Sequence, residues 1–336
     1  MTRSPRAMAL IIAGVVISFS VSGCGAGRAA LGIREPPKAN PALAPVTVGQ
    51  AKSILTRDFT AAQQGGATTG AAAQAALSTA YTGEALRAAK ARVRLVAVQP
   101  VSAESPVLTP LRPRLLAVSR GFGFPRLMVA QTVAAEGSLP VLHLLMSPDA
   151  ATPYRISMSA KMLPSSTVKP FDPLTQGSPL LTNGSGLVVS GTALLGAYAA
   201  GMAFPAKALD RPQFAADPIF TQVRANATAV GKAVATQAVF SQVHRVIPGS
   251  MYAVRQANGD ALVFGVIERT DSFKVKKGQA VNTAGNREFV ALTGKKKITR
   301  SASITTLEFV VFSVPQSKGR AILVAASEQV VAGSGS

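Results

Sequence analysis

Thiol chemistry has one place in this chain of 336 residues, because Cys24 is its only cysteine. Imidazole chemistry has two, His143 and His244. His143 lies in the strand-like run Val141-Leu142-His143-Leu144-Leu145. His244 falls near the end of a stretch expected to be helical, where a histidine suits the helix dipole. General acid–base work needs a group poised near the working pH and within hydrogen-bond reach of the reacting atom. No acid in the sequence is placed to orient either ring. The 15 carboxylates are spread out, with no close pair of the kind a glycosidase uses. Asp210, Asp217, Asp260 and Asp271 fall near turns or helix starts, where aspartate commonly caps. No cluster has metal-ligand spacing. Gly121-x-Gly123 lacks the strand, helix and downstream acid of a dinucleotide site. No nucleophile elbow is present; Gly184-Ser185-Gly186 and Gly333-Ser334-Gly335 read as loop and tail. The expectation is structural histidines, no catalytic residue, no metal and no cofactor.

Charge is the stronger signal. Lys and Arg number 35, and the formal charge is +20. The densest clusters are Lys295-Lys296-Lys297 with Arg300, and Lys274, Lys276 and Lys277. A solvated face is the bland reading. Contact with anionic lipid or a cell-wall polymer is the sharper one, since each base near an anionic surface adds about 1 kcal/mol. Nucleic acid is the other usual partner of a basic chain. Here the bases are scattered, and no helix-turn-helix, zinc-finger or aromatic RNP motif accompanies them, so nucleic acid is not expected. Aromatics make up 5% and there is no Trp, which counts against a sugar-stacking surface.

The surroundings of Cys24 decide its chemistry. Arg3 and Arg6 form a positive n-region, Ala7 to Phe19 an apolar h-region, and small residues follow, as in an export signal. A membrane-spanning anchor needs about 20 apolar residues. This run is shorter and is interrupted by Ser18, Ser20 and Ser22. Val21-Ser22-Gly23-Cys24 resembles the lipobox of bacterial lipoproteins. That resemblance implies cleavage between Gly23 and Cys24, acylation of the Cys24 thiol with palmitate-type chains, and anchoring on the extracytoplasmic face of the cell membrane. Loss of the leader removes Arg3 and Arg6 and leaves 33 bases against 15 acids, about +18. With Cys24 acylated, no thiol remains for a disulfide within the chain.

The length fits about two domains. Residues 1–23 are the signal peptide and 24–46 a Pro-, Ala- and Gly-rich tether. In 47–169, Thr47 caps a helix to about Ala62 that Gly65-Gly66 stops. Ala71 to Tyr81 and Glu84 to Ala91 are further helical stretches. Arg92–Val98, Arg114–Ser119, Leu127–Val133, Pro140–Ser147 and Arg155–Lys161 alternate as strands. In 170–212 charge nearly vanishes, and a short helix, about Thr192 to Met202, docks on a core. In 213–332, Asp217-Pro218 opens a helix expected to run to about Val246, burying Val223, Val230 and Val234. A hairpin turns at Asn258-Gly259-Asp260. Ser272–Lys276, Glu288–Leu292, Ser303–Val314 and Arg320–Val331 read as strands. Helices before antiparallel strands in each half mean α+β: two tandem domains, each a helix on a curved sheet.

Three features together resemble a family of actinobacterial lipoproteins carrying a domain of unknown function, over about residues 46 to 332. They are the lipobox and tether, the Pro45-Val46-Thr47 lead into a helix, and the Ala193-Leu194-Leu195-Gly196-Ala197-Tyr198 helix followed by a second helix bearing Arg224. Each half also resembles a cystatin-like or NTF2-like domain. The family implies no activity. The expected function is a non-enzymatic binding or scaffolding module of the cell envelope, with anionic lipid, a cell-wall polymer or an envelope protein as partner. The alternatives are a carrier of an apolar ligand or lipid in a sheet cavity, and an NTF2-like enzyme.

Overall fold

The computed structural model describes residues 40–96, 98, 112–134, 137–206 and 213–336. The expected signal peptide, Gly23, Cys24, the first part of the expected tether and Asp210 lie outside them. Residues Asn40–Ser336 form one compact unit of mixed α+β structure built on a large antiparallel sheet.

The described helices are α1 (Val48–Ala67), α2 (Gly70–Ala80), α3 (Gly83–Leu95), α4 (Gly191–Met202), α5 (Pro218–Val234) and α6 (Arg287–Thr293). None is long and apolar enough to cross a membrane. The strands are β1 (Arg114–Val118), β2 (Arg126–Thr132), β3 (Val141–Ser147), β4 (Arg155–Met162), β5 (Leu180–Leu181), β6 (Ala238–Val246), β7 (Tyr252–Arg255), β8 (Ala261–Val275), β9 (Val281–Asn282), β10 (Lys297–Ile298), β11 (Ser301–Val314) and β12 (Ile322–Gly335).

Thr47 caps α1 with a reciprocal capping box to Gln50. The helix continues through Gly65 instead of stopping there. A side chain at Gly65 would meet Leu77 of α2 at 2.6 Å, so glycine serves the close approach of two helices. The segment expected as strand 92–98 is the last turn of α3 as far as Leu95. Its Arg-Val-Arg-Leu alternation is overridden by Ala85, Ala88, Ala91 and Leu95, which recur at helical spacing and are buried. Glu288–Leu292, also expected as strand, lies in α6, capped by Asn286 and ended by left-handed Gly294.

The main sheet runs β1-β2-β3-β4-β12-β11-β8-β7-β5, with β6 on the distal half of β8. Strands of the two halves join where Met162 and Lys161 of β4 pair Ala325 and Ala326 of β12. The two ends of the sheet also meet. Ser178, just ahead of β5, donates its N–H to the Val118 carbonyl (2.8 Å) and accepts from the Arg120 N–H (2.8 Å). The pairings therefore close into a ring, which leaves few open edges. Gly177 makes the closure, at φ +75 with the space of its missing side chain 3.0 Å from the Val118 and Ser119 carbonyls.

Alternation then sorts the core. Leu127, Val129, Leu142, Leu144, Met158, Leu262, Phe264, Leu307 and Phe309 share one cluster with the buried alanines of α3. This interior draws on strands of both 47–169 and 213–332. On the outer face, Met128, Ala130, Leu145 and Ile156 take Leu55 and Phe59 of α1. Val263, Ile267, Val310 and Phe312 take Leu194, Leu195, Tyr198 and Met202 of α4.

Candidate functional site

α5 begins where sequence reasoning puts it. Asp217 Oδ1 accepts from the Phe220 N–H (2.8 Å) and from the Tyr198 hydroxyl (3.1 Å), and Pro218 opens the helix. The helix ends at Val234, twelve residues short of the expected Val246. From Ala238 to Val246 the burial alternates with period two, which is the signature of strand β6. The expected buried face of α5 is only partly buried. Val223 is 8% exposed, but Val230 is 36% exposed and Val234 half-buried. The helix leaves Val230 at the border of an open cleft, while Gly231 sits tightly on the Phe204 ring.

The helix roofs a cleft of about 440 Å³. Met202, Ile219, Val223, Ala227 and Val230 line the helical side, and Phe240, Phe273, Ile304 and Val310 the sheet side. Tyr198 closes one end, packed among Phe214, Phe220 and Phe312 with ring centroids 5.0–5.4 Å away. Arg224 stays out of the cleft, donating to the Gly201 carbonyl (3.1 Å) and lying over the Phe220 ring.

The floor carries charge. Arg269 of β8 donates through Nη1 to Glu308 Oε1 (3.1 Å) and Glu328 Oε2 (2.9 Å), and its Nε lies 3.5 Å from Asp271 Oδ2. Gln242 Nε2 donates to Asp271 Oδ1 (2.7 Å). His244 lies beneath, with Nδ1 2.9 Å from Glu308 Oε2 and Nε2 3.0 Å from Gln242 Oε1. Burial works against the Arg269 charge, but Glu328, Glu308 and Asp271 together lift its pKa. Burial also raises the Asp271 carboxyl, with Arg269 opposing. Burial raises Asp217 and pushes the Tyr198 hydroxyl up, the latter reinforced by Asp217.

The structure corrects several sequence expectations here. His244 is on a strand, not near a helix end, and its partner Glu308 is 64 residues away. Asp271 is a mid-strand residue facing the cleft, because Ser272–Lys276 is no separate strand but the tail of the 15-residue β8. The signal that could have found this group was polar residues two apart within apolar strands: Gln242-x-His244, Arg269-x-Asp271 and Thr306-x-Glu308. Strand register sets His244 opposite Arg269 and Gln242 opposite Asp271, and Glu308 opposite Glu328.

His143 is not part of this group. It is buried on β3 under α1, edge-on to Phe59 (centroids 4.7 Å), between the Thr132 hydroxyl (2.8 Å) and the Ser159 hydroxyl (2.9 Å). Burial lowers its pKa to about 3. Among the described residues no group of three or more His, Cys, Asp or Glu could hold a metal ion.

The seven bases singled out in the sequence gather at one end of the sheet, and all are exposed. Lys274 pairs with Ser301 across β8 and β11, and Val275 donates its N–H to the Arg300 carbonyl (2.8 Å). Lys276 donates through Nζ to the Ala235 carbonyl (2.6 Å), and Lys277 follows it. Thr283, just after β9, binds the Lys295 and Lys296 backbone, and Lys297 pairs with Asn282. Beside them, Ser241, Ser272, Ser303 and Ser334 stand opposite one another across four strands. They line an open groove with Lys274 and Arg300.

No family model, curated protein or solved structure matches this chain. The arrangement itself is an apolar cleft of ligand size with a few convergent polar groups, the usual form of a small-molecule site. His244 is fully buried and does not line it. The groups that do line it can bind and orient; they form no nucleophile–base pair.

Proposed function

We propose that this protein is a lipid-anchored, extracytoplasmic binding module of the cell envelope, without enzymatic activity, and that the cleft under α5 is its binding site. The observation that carries the proposal is the cleft itself, with apolar walls and a charged, hydrogen-bonded floor. Such a cavity suits an amphiphile, with its apolar body against Phe240, Phe273 and Val230 and its polar end at the floor. This joins the binding-module reading to that of an apolar-ligand carrier. The test is whether an amphiphile leaves the membrane with the protein and whether filling the cleft at Val230 expels it.

The anchor is part of the same proposal and rests on Val21-Ser22-Gly23-Cys24. Mass spectrometry of membrane-extracted protein is expected to find a mature N-terminus at Cys24 bearing acyl chains; an unmodified N-terminus elsewhere contradicts it. The membership of the lipoprotein family and the derivation of each half from a cystatin-like or NTF2-like unit stand as proposals too. Helices ahead of antiparallel strands in each half support the latter. The basic end of the sheet is proposed to face anionic lipid or an anionic cell-wall polymer.

A further inference from the structure

The charges around the cleft are unbalanced, and the imbalance runs against the composition of the chain. The chain as a whole is +20, yet among the described residues the cleft lining holds one cation, Arg269, against three carboxylates, Asp271, Glu308 and Glu328. Among the described residues, His244 is buried behind the floor between Glu308 and Gln242, and Lys161 of β4 pairs with Ala326 of the lining without lining the cleft itself. Even with the His244 ring charged, the carboxylates of the lining are in excess. The polar lining residues of α5, Gln222 and Asn226, and the α6 cap Asn286 are neutral, and the first two are tied to each other (2.7 Å).

The Arg269 cation is engaged through Nη1 and Nη2, while its buried Nε makes no hydrogen bond among the described residues. Arg269 Nη1 serves both Glu308 and Glu328, and Nη2 reaches the Thr306 hydroxyl at 3.4 Å. The acceptors are less used. Asp271 Oδ2 is 3.5 Å from Arg269 Nε, longer than a good charge-assisted bond. Glu328 is 61% exposed at the rim and gives Oε2 to Arg269. Each carboxylate offers about four lone-pair sites, so acceptor capacity at the floor exceeds the donors that meet it. A donor-rich positive group completes such a site, whereas an anionic group meets three carboxylates.

Resting on the reading of the cleft as a binding site, we propose that its ligand is an amphiphile with a cationic head, an amine or ammonium held between Asp271 and Glu328, with its chain along Phe240, Phe273 and Val230. Glu308 keeps Arg269 and His244 in place.

The test uses the full chain in nanodiscs with isotope-labelled methionine methyl groups. The Met202 methyl, which lines the cleft, reports occupancy and is assigned from Met202→Leu. Hexylamine, hexanol and hexanoate are titrated in turn. The expected result is that hexylamine shifts the Met202 signal with an affinity about ten times that of hexanol, because hydrogen bonds to charged groups outweigh neutral ones by about that factor. Hexanoate binds weakest. In Asp271→Asn/Glu328→Gln the amine loses its advantage while hexanol binding is kept. If the three probes bind alike, or hexanoate binds best, the cationic head is refuted and the cleft reading stands. If none moves the Met202 signal, the cleft reading falls with it.

Discussion

Asp58 is a buried carboxyl that responds to pH although it never meets solvent. It lies on α1 at 0% exposure, accepts from Arg57 Nε at 2.7 Å, and has its pKa raised to about 6 by burial, with Arg57 opposing. A carboxyl whose folded pKa lies above its unfolded value destabilises the fold when ionised. That cost is full above about pH 6 and vanishes as pH falls below the unfolded value near 4. His143 acts in the other direction. Burial holds it neutral, so the fold loses stability as pH drops below the unfolded histidine value of about 6.5 toward its folded value of about 3. Wild-type stability below neutrality is therefore a sum of opposed titrations, and a substitution separates them. Asp58→Asn is expected to gain on the wild type by about 2 kcal/mol more at pH 7.5 than at pH 4, in chemical denaturation at both. A gap that does not change with pH contradicts the assignment. Neither residue announced this in the sequence. Asp58 sits at a helical spacing shared with Leu55 and Phe59, so its burial was legible, but its ionisation state depends on what packs over it.

At the scale of elements, legibility followed local chemistry. The Thr47 and Asp217 caps, the Asn258-Gly259-Asp260 turn and the short helix ending at Met202 are set by neighbours in the chain, and the structure has them. Elements whose pattern fits two periods were misplaced: Arg92 to Leu95, Glu288 to Leu292, and the boundary between α5 and β6. There, tertiary burial chose between helix and strand. The cleft was illegible for the same reason, since it lies between α5, which stops at Val234, and a sheet that includes β6. The basic end of the sheet is a property of elements too, built from the tail of β8, the β9–β10 pair and the start of β11. If it faces an anionic surface, acetylation of Lys295, Lys296 and Lys297 should slow several-fold in nanodiscs of anionic lipid relative to neutral lipid. The difference should fade at high salt, as a screened contact does. Equal rates in both lipids contradict the contact.

For the whole molecule, the decisive feature is that one ring of strands serves both halves. The pairing of β4 with β12 and the return of Ser178 to β1 join residues far apart in the chain. Nothing local in the sequence encodes either contact, which is why two separate sheets were expected from a repeated order of helices and strands. The ring leaves its interior filled by side chains, and an apolar cavity lies outside it, under α5. A binding function therefore stands or falls on that cavity. The most direct measurement is the amount of amphiphile co-extracted with the full-length protein from its own membrane, set against the same preparation of Val230→Trp. Val230 is at the rim and partly exposed, so the larger side chain fills the cleft with little burden on the core. The account predicts about one retained amphiphile per chain in the wild type, beyond the acyl chains proposed on Cys24, and its loss in Val230→Trp with the fold intact by circular dichroism. Equal retention in the two proteins, or none in the wild type, would contradict it.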